Sequence, residues 1–316
     1  YVFRRLFTDQ SPTDQFLVAD EVGLGKTMVA RGVIAKTIEH LLGKVDRIDI
    51  VYICSNQAIA EQNIKSLNVV GSATKPLNTR LTLLPLEIEK EGGIASRPIN
   101  LISLTPGTAL DLKSSLGTAP ERALIFEMLR ERIGLRHRGI QRVFRGGVSD
   151  ENWPGWTAWI RNERISRDIA DKFNRVVDDT FIEKIREAAD LARRHKHPHY
   201  PDDQRPAAMI GELRRMLAKI CVDALTPDLI ILDEFQRFAE LLHDHDVEVA
   251  PEKAAAAELA RALFSYNGED GSKARLLLLS ATPYRMLTLS SDAPEDGEHY
   301  DDFLRTMRFP FGDAEG

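Results

Sequence analysis

The run Ala19-Asp20-Glu21-Val22-Gly23-Leu24-Gly25-Lys26-Thr27 constrains this chain more than any other. A short apolar stretch, Phe16-Leu17-Val18, feeds a glycine-containing turn that opens directly into helix-patterned sequence. Strand, turn and helix in that order make a cradle for an anion. Gly23 and Gly25 let successive backbone N–H groups point at one centre, and the start of a helix adds its positive dipole end. The expected nucleotide-binding residues are therefore Gly23, Leu24, Gly25, Lys26 and Thr27. Lys26 is placed to reach the β- and γ-phosphates, and the Thr27 hydroxyl to ligate the Mg2+ that accompanies them. Asp20 stands where the commonest form of such a loop has another glycine.

The rest of the chain supplies further strands with polar residues at their ends. Ala30, Ile34, Ile38 and Leu41 recur at helical spacing and predict a helix that stops near Gly43. Residues 49–54 (DIVYIC) read as a buried strand, and Ser55-Asn56-Gln57 opens a helix through Leu67. Ser55 and Asn56 can be a simple helix cap, and a cap leaves N–H groups that could also take a phosphate. Residues 80–86 and 99–104 predict two more strands, the second running into Thr105-Pro106-Gly107-Thr108. Leu229-Ile230-Ile231-Leu232 predicts a fully buried strand with Asp233 and Glu234 at its carboxyl end, where open α/β sheets bind ligands. Asp233 is placed to hold Mg2+ and Glu234 to orient or deprotonate an attacking water. Residues 252–264 are helical by propensity, and residues 275–279 form another buried strand ending in Ser280-Ala281-Thr282-Pro283.

Residues 114–219 differ in character, being arginine-rich with helical patterns such as residues 161–192. Three features there carry two readings each. Trp153, Trp156 and Trp159, beside Arg161 and Arg164, are a core stripe or a base-stacking platform. His195, His197 and His199 are a solvated loop or metal ligands. Arg130, Arg132, Arg136, Arg138, Arg142 and Arg145 are a charged surface or a phosphate contact. His243-Asp244-His245-Asp246, further on, reads as a polar loop.

With 316 residues and 43% apolar content the chain has ample material for a core. A net charge of −6 gives no global basic field, so any nucleic acid must be held by a local track of donors. Two cysteines, Cys54 and Cys221, are too few for a disulfide scaffold and suit a reducing cytosol. No apolar run approaches the ~20 residues of a membrane helix, which predicts a cytoplasmic protein without a membrane partner. A first residue of Tyr1 predicts a segment of a longer protein.

ADEVGLGKT resembles motif I of superfamily 2 helicases, and of the Swi/Snf-type translocases and their bacterial relatives in particular, where Asp-Glu in the loop is normal. Further motifs resemble that family in order. Ser55-Asn56 stands at motif Ia and SLTPGTAL at motif Ib, with Thr108 in place of an arginine. LDEFQ stands at motif II and SATP at motif III. The resemblance implies an α/β fold, a RecA-like P-loop domain with a central parallel sheet flanked by helices. It assigns residues 1–113 and 220–316 to that ATP-binding lobe and leaves 114–219 as a mostly helical insertion, since Lys26 and Asp233 stand 207 residues apart where compact members need roughly 100. It implies catalytic roles for Lys26 and Glu234 with ATP and Mg2+ as cofactors, and nucleic-acid contacts at Ser55, Asn56, Thr105 and Gly107. Gln236, Ser280 and Thr282 are implied to couple the nucleotide site to the nucleic-acid path. The implied activity is a nucleic-acid-dependent ATPase on DNA in preference to RNA, completed by a second RecA-like lobe. The alternative is a nucleotide-dependent switch or scaffold that binds a protein partner through the insertion.

Overall fold

Aliphatic runs of five or six residues account for most of the sheet. A computed structural model describes residues 1–19, 25–71, 74–76, 80–110, 114–134, 138–195, 198–234, 251–264, 266–268, 271 and 273–280. Its strands are β1 (Gln15–Ala19), β2 (Ile48–Ile53), β3 (Thr74–Pro76), β4 (Ile99–Leu104), β5 (Leu229–Asp233) and β6 (Arg275–Ser280). They lie in the order β1-β6-β5-β2-β4-β3, and every neighbouring pair is parallel. β2 is buried at every position, as a strand covered on both faces must be. The expected α/β architecture, a parallel sheet flanked by helices, is the one observed.

Alternation along the strands divides the core in two. Ile50, Tyr52, Leu229, Ile231 and Leu277 face α1 (Lys26–Leu41) and α2 (Gln57–Leu67). The helices meet them with stripes at helical spacing, Ala30, Val33, Ile34, Thr37 and Ile38 on α1 and Ala60, Ile64 and Leu67 on α2. Val51, Ile53, Ile230, Leu232 and Leu278 face the other way. After two short helices, α3 (Leu84–Glu87) and α4 (Pro106–Ala109), that second layer is built from α5 (Ala119–Ile133), α6 (Arg138–Arg145), α7 (Trp153–Asn162), α8 (Arg167–Val176), α9 (Asp179–Arg194), α10 (Pro206–Leu225) and α11 (Pro251–Phe264).

Residues 114–219 are thus mainly helical, and their buried side chains form one continuous cluster with Val51, Ile53 and Leu232 of the sheet. α10 runs through residue 219 to Leu225 and delivers the chain to β5. A buried ion pair fastens the layer: Arg214 of α10 donates from Nε at 2.9 Å and Nη2 at 2.8 Å to Oε1 of Glu121 on α5. Gly117 sits at φ +59 beneath them, and a Cβ there would strike the Arg214 guanidinium.

Several expectations need correction. Residues 80–86 are not a strand but a 3-10 turn, Leu81–Leu83, followed by α3, because Pro85 has no ladder donor and fits the first turn of a helix. The helical pattern over 161–192 is broken into α7, α8 and α9. Asp178 caps α9, its Oδ1 accepting from Phe181 N at 2.7 Å. The tryptophans divide: Trp153 is buried at 1% exposure, whereas Trp156 and Trp159 are 37% and 41% exposed. Arg132 donates to the carbonyls of Asn174 and Val177 and Arg142 to those of Ala192 and His195, so both clamp helix carboxyl ends. His195 and His199 are exposed, and the described residues hold no group of three metal-type ligands. Arg136, His197 and residues 243–246 lie outside the described residues. Among the described residues no helix is long and apolar enough to cross a membrane.

Candidate functional site at the carboxyl edge of the sheet

Parallel strands in level register bring their carboxyl ends to one edge. Ala19 is paired with Ser280, Leu279 with Asp233, Leu232 with Ile53 and Ile53 with Leu104. The carboxyl ends of β1, β2, β4, β5 and β6 therefore share that edge, which is where an open α/β sheet takes its ligands.

Gly25 precedes α1 at φ 94 and ψ 18, a left-handed conformation that glycine adopts without strain. Its carbonyl accepts from Met28 N at 2.8 Å and Val29 N at 3.0 Å, which fixes the first helical turn. Among the described residues, a Cβ on Gly25 would meet nothing within 4 Å. Lys26 is half-buried and Thr27 exposed on that turn, at the positive end of the helix dipole. Gly23 and Leu24 lie outside the described residues, as do Gln236 and Thr282.

Asp233 ends β5 and is half-buried. Its Oδ2 accepts from the Tyr52 hydroxyl at 2.5 Å and from Asn63 Nδ2 at 3.4 Å, while Asn63 also donates to the Tyr52 oxygen at 2.9 Å. Tyr52 comes from β2, the strand beside β5, and Asn63 from α2, so strand pairing and helix packing together aim one carboxylate. Burial first, and the Asp233 carboxylate second, push the Tyr52 phenol far above its ordinary value, so it remains a donor at any working pH. Burial, with smaller contributions from Asp233 and Glu234, likewise pushes the Cys54 thiol up and keeps it unreactive.

Glu234 follows at φ 53, one of two described non-glycine residues at positive φ. A left-handed glutamate carries strain of roughly 1–2 kcal/mol, the kind of outlier that collects at functional sites. Ser280, 6% exposed, closes β6 on the same edge.

On the other side of β5 the edge is built by turns. Ser55 and Asn56 are exposed after β2, and Asn56 caps α2, its Oδ1 accepting from Ala58 N at 2.9 Å and Ile59 N at 3.3 Å. Thr105 is buried at the start of α4, its carbonyl accepting from Thr108 N and Ala109 N, and Gly107 is exposed one residue into that turn.

Two residues of the site were not found from sequence. Tyr52 carries a local signal, a single polar-tipped ring in an otherwise aliphatic run and on the same strand face as Ile50 and Cys54. Asn63 carries none beyond its place beside the buried stripe of α2. In chemical terms the edge offers an anion-favouring helix start with a lysine and a hydroxyl, and a carboxylate held in a defined orientation. Thr27 and Asp233 are oxygen donors of the kind Mg2+ takes.

Neither the protein-family models, nor the curated proteins, nor the solved structures with which this chain was compared contain a match to it.

Proposed function

We propose that the chain is the ATP-binding lobe of a superfamily 2-type helicase or translocase, coupling Mg-ATP hydrolysis to movement on or remodelling of nucleic acid, DNA in preference to RNA. One observation carries this reading. A left-handed glycine opening a helix with Lys26 and Thr27 shares a sheet edge with the Asp233 carboxylate, which Tyr52 and Asn63 orient. In this reading Gly23, Leu24, Gly25 and Lys26 bind the phosphates. Thr27 and Asp233 hold Mg2+, an ion that keeps several of its waters and so needs no closed cage of protein ligands. The bound ion supplies charge neutralisation on the phosphoryl oxygens. Glu234 orients the attacking water and takes its proton. Ser55, Asn56 and Gly107, all exposed, face the nucleic acid, with Asn56 offering the amide N–H groups that its capping role leaves to it, and Thr105, which is buried, holds the turn that carries Gly107. Gln236, Ser280 and Thr282 relay the state of the nucleotide. The cytoplasm, where Cys54 and Cys221 stay reduced, is the compartment that fits.

Brisk turnover in this scheme needs an arginine from a second RecA-like lobe, a contribution of about 10³–10⁵ in rate where such fingers operate. The test is Mg2+-dependent ATP hydrolysis by the lobe together with its second lobe, with no polymer, single-stranded DNA, duplex DNA or RNA, beside Lys26→Ala and Glu234→Gln. Stimulation by one polymer that both substitutions abolish is the expected result. Hydrolysis indifferent to every polymer would overturn the motor. It would favour the second reading, a nucleotide-dependent switch or scaffold docking a protein on the helical layer, which draws support from the exposed Trp156–Trp159 pair.

A further inference from the structure

The chain carries a net charge of −6, yet residues 114–219 hold 21 lysines and arginines against 16 aspartates and glutamates. Positive charge is therefore gathered in the helical layer. Part of it lines an open groove of about 770 Å³ between α5, the carboxyl end of α7 and α8. Five arginines face that groove, Arg130, Arg132, Arg161, Arg167 and Arg175, against three carboxylates, Glu127, Glu131 and Asp171.

The arginines divide by what already holds them. Arg132 is engaged by the Asn174 and Val177 carbonyls and by Asp179, and shapes the wall. Glu127, with a side chain only 4% exposed, accepts from Arg161 at 3.1 Å and lies 3.5 Å from Arg130. One buried carboxylate thus steadies two guanidiniums whose side chains remain 49% and 33% exposed. Arg167 and Arg175 are exposed on α8, and no hydrogen bond or ion pair joins either side chain to the described residues. They stand eight residues apart, about 12 Å along the helix axis and roughly 80° around it, and both line the groove.

We propose that this groove binds the phosphate backbone of a nucleic-acid strand. The guanidinium fork matches phosphate oxygens bidentately, which a compact ammonium cannot do, and every cation lining this groove is an arginine. The 12 Å between Arg167 and Arg175 accommodates three to four stacked nucleotides at about 3.4 Å each. Pre-tethering of Arg130 and Arg161 by Glu127 lowers the ordering cost on binding. The choice of a nucleic acid among polyanions rests on the function proposed above, but the groove is remote in the chain from Lys26 and Glu234 and requires no ATP.

The experiment is fluorescence anisotropy of labelled single-stranded DNA and RNA oligonucleotides with the full chain, without nucleotide, across a salt series. Arg167→Glu/Arg175→Glu is compared with Arg193→Glu/Arg194→Glu on α9, which changes charge equally, and with Lys26→Ala. The groove pair should weaken binding at least tenfold and flatten the log–log salt slope by about 1.4, the share of two single-strand phosphate contacts. The α9 pair should change affinity less than twofold, and Lys26→Ala should leave it unaltered. Unchanged binding in the groove pair overturns the proposal, as does equal weakening by the α9 pair or preferential capture of an acidic polypeptide, polyglutamate, over either oligonucleotide. Groove binding that persists while no polymer stimulates hydrolysis would sustain the site and remove the motor. Stimulated hydrolysis with indifferent groove variants would do the reverse.

Discussion

Replacing Glu121 by glutamine tests how the helical layer is locked to the rest of the fold. Glu121 and Arg214 are both fully buried, at 0% exposure. Oε1 of Glu121 accepts from Arg214 Nε and Nη2 and from the Thr82 hydroxyl at 2.7 Å, and Oε2 accepts from Thr118 N at 2.6 Å and the Thr118 hydroxyl at 2.8 Å. Each oxygen thus meets at least one N–H donor that cannot turn round, so a glutamine NH₂ would face a donor whichever way it is placed. The Arg214 charge would also lose its carboxylate where water does not reach. Breaking a buried pair on one side costs about 3–5 kcal/mol, a large share of the roughly 5–15 kcal/mol that holds a domain folded. Urea unfolding followed by circular dichroism should show the midpoint falling by about 1–2 M for a slope near 3 kcal/mol/M. Glu121→Leu/Arg214→Met should lose less than the sum of its single substitutions. Acid adds an independent check. Burial alone would raise the Glu121 carboxyl, but Arg214 and the hydrogen bonds from Thr118 and Thr82 outweigh it and hold the group below its ordinary value. A depressed carboxyl contributes its stabilisation in full above the unfolded value of about 4.3 and loses it as pH falls through the folded value. Wild type should therefore lose this increment below about pH 4, and Glu121→Gln should show a correspondingly shallower decline. A Glu121→Gln protein within 1 kcal/mol of wild type, or strictly additive substitutions, would refute the reasoning.

Two further outcomes are expected. Tyr52→Phe removes the hydroxyl that donates to Asp233; under the function proposed above, Mg2+ titration of ATP hydrolysis should show affinity for the ion about 10–100-fold weaker, with the KM for ATP changed less than twofold, and a loss that saturating Mg2+ does not relieve would count against the proposed positioning role. Trp153→Ala should destabilise by about 3–5 kcal/mol in urea unfolding, whereas Trp156→Ala should stay within about 0.5 kcal/mol, and equal effects would contradict the division between buried and exposed rings.

The sheet was legible because its signal is local. The runs 99–104, 229–232 and 275–279 are aliphatic enough that a strand covered on both faces is their simplest outcome, and β4, β5 and β6 occupy those positions. The placement of Asp233 and Glu234 at a strand's carboxyl end followed from the same run. Residues 80–86 show where that reasoning fails, since their leucines satisfy a strand pattern but Pro85 cannot serve a ladder. The tryptophans show a different limit. A step of three residues turns a helix by about 300°, so Trp159 stands about 120° round from Trp153, and a pattern that looks like one stripe passes from core to solvent within two steps.

What could not be read was every contact whose partner lies far along the chain. Tyr52 and Asp233 are 181 residues apart, and their meeting depends on β2 lying next to β5, a matter of strand order that no property of either run specifies. The arginines follow the same logic: in sequence they are a block of charge, but Arg132 and Arg142 find carbonyls at helix ends 42 to 53 residues away, because the last carbonyls of a helix have no partner within it and a long guanidinium can reach them with several donors. Their engagement has a consequence for the groove. Arginines tied to carbonyls hold the helices at fixed spacing, and this leaves Arg167 and Arg175, the pair not so tied, on a rigid surface. A phosphate strand would therefore meet guanidiniums whose separation is set by the α8 backbone. Stiffening α8 further should then strengthen oligonucleotide binding without adding a charge, whereas lengthening it by one residue between Arg167 and Arg175 would rotate the two apart by about 100° and abolish the paired contact.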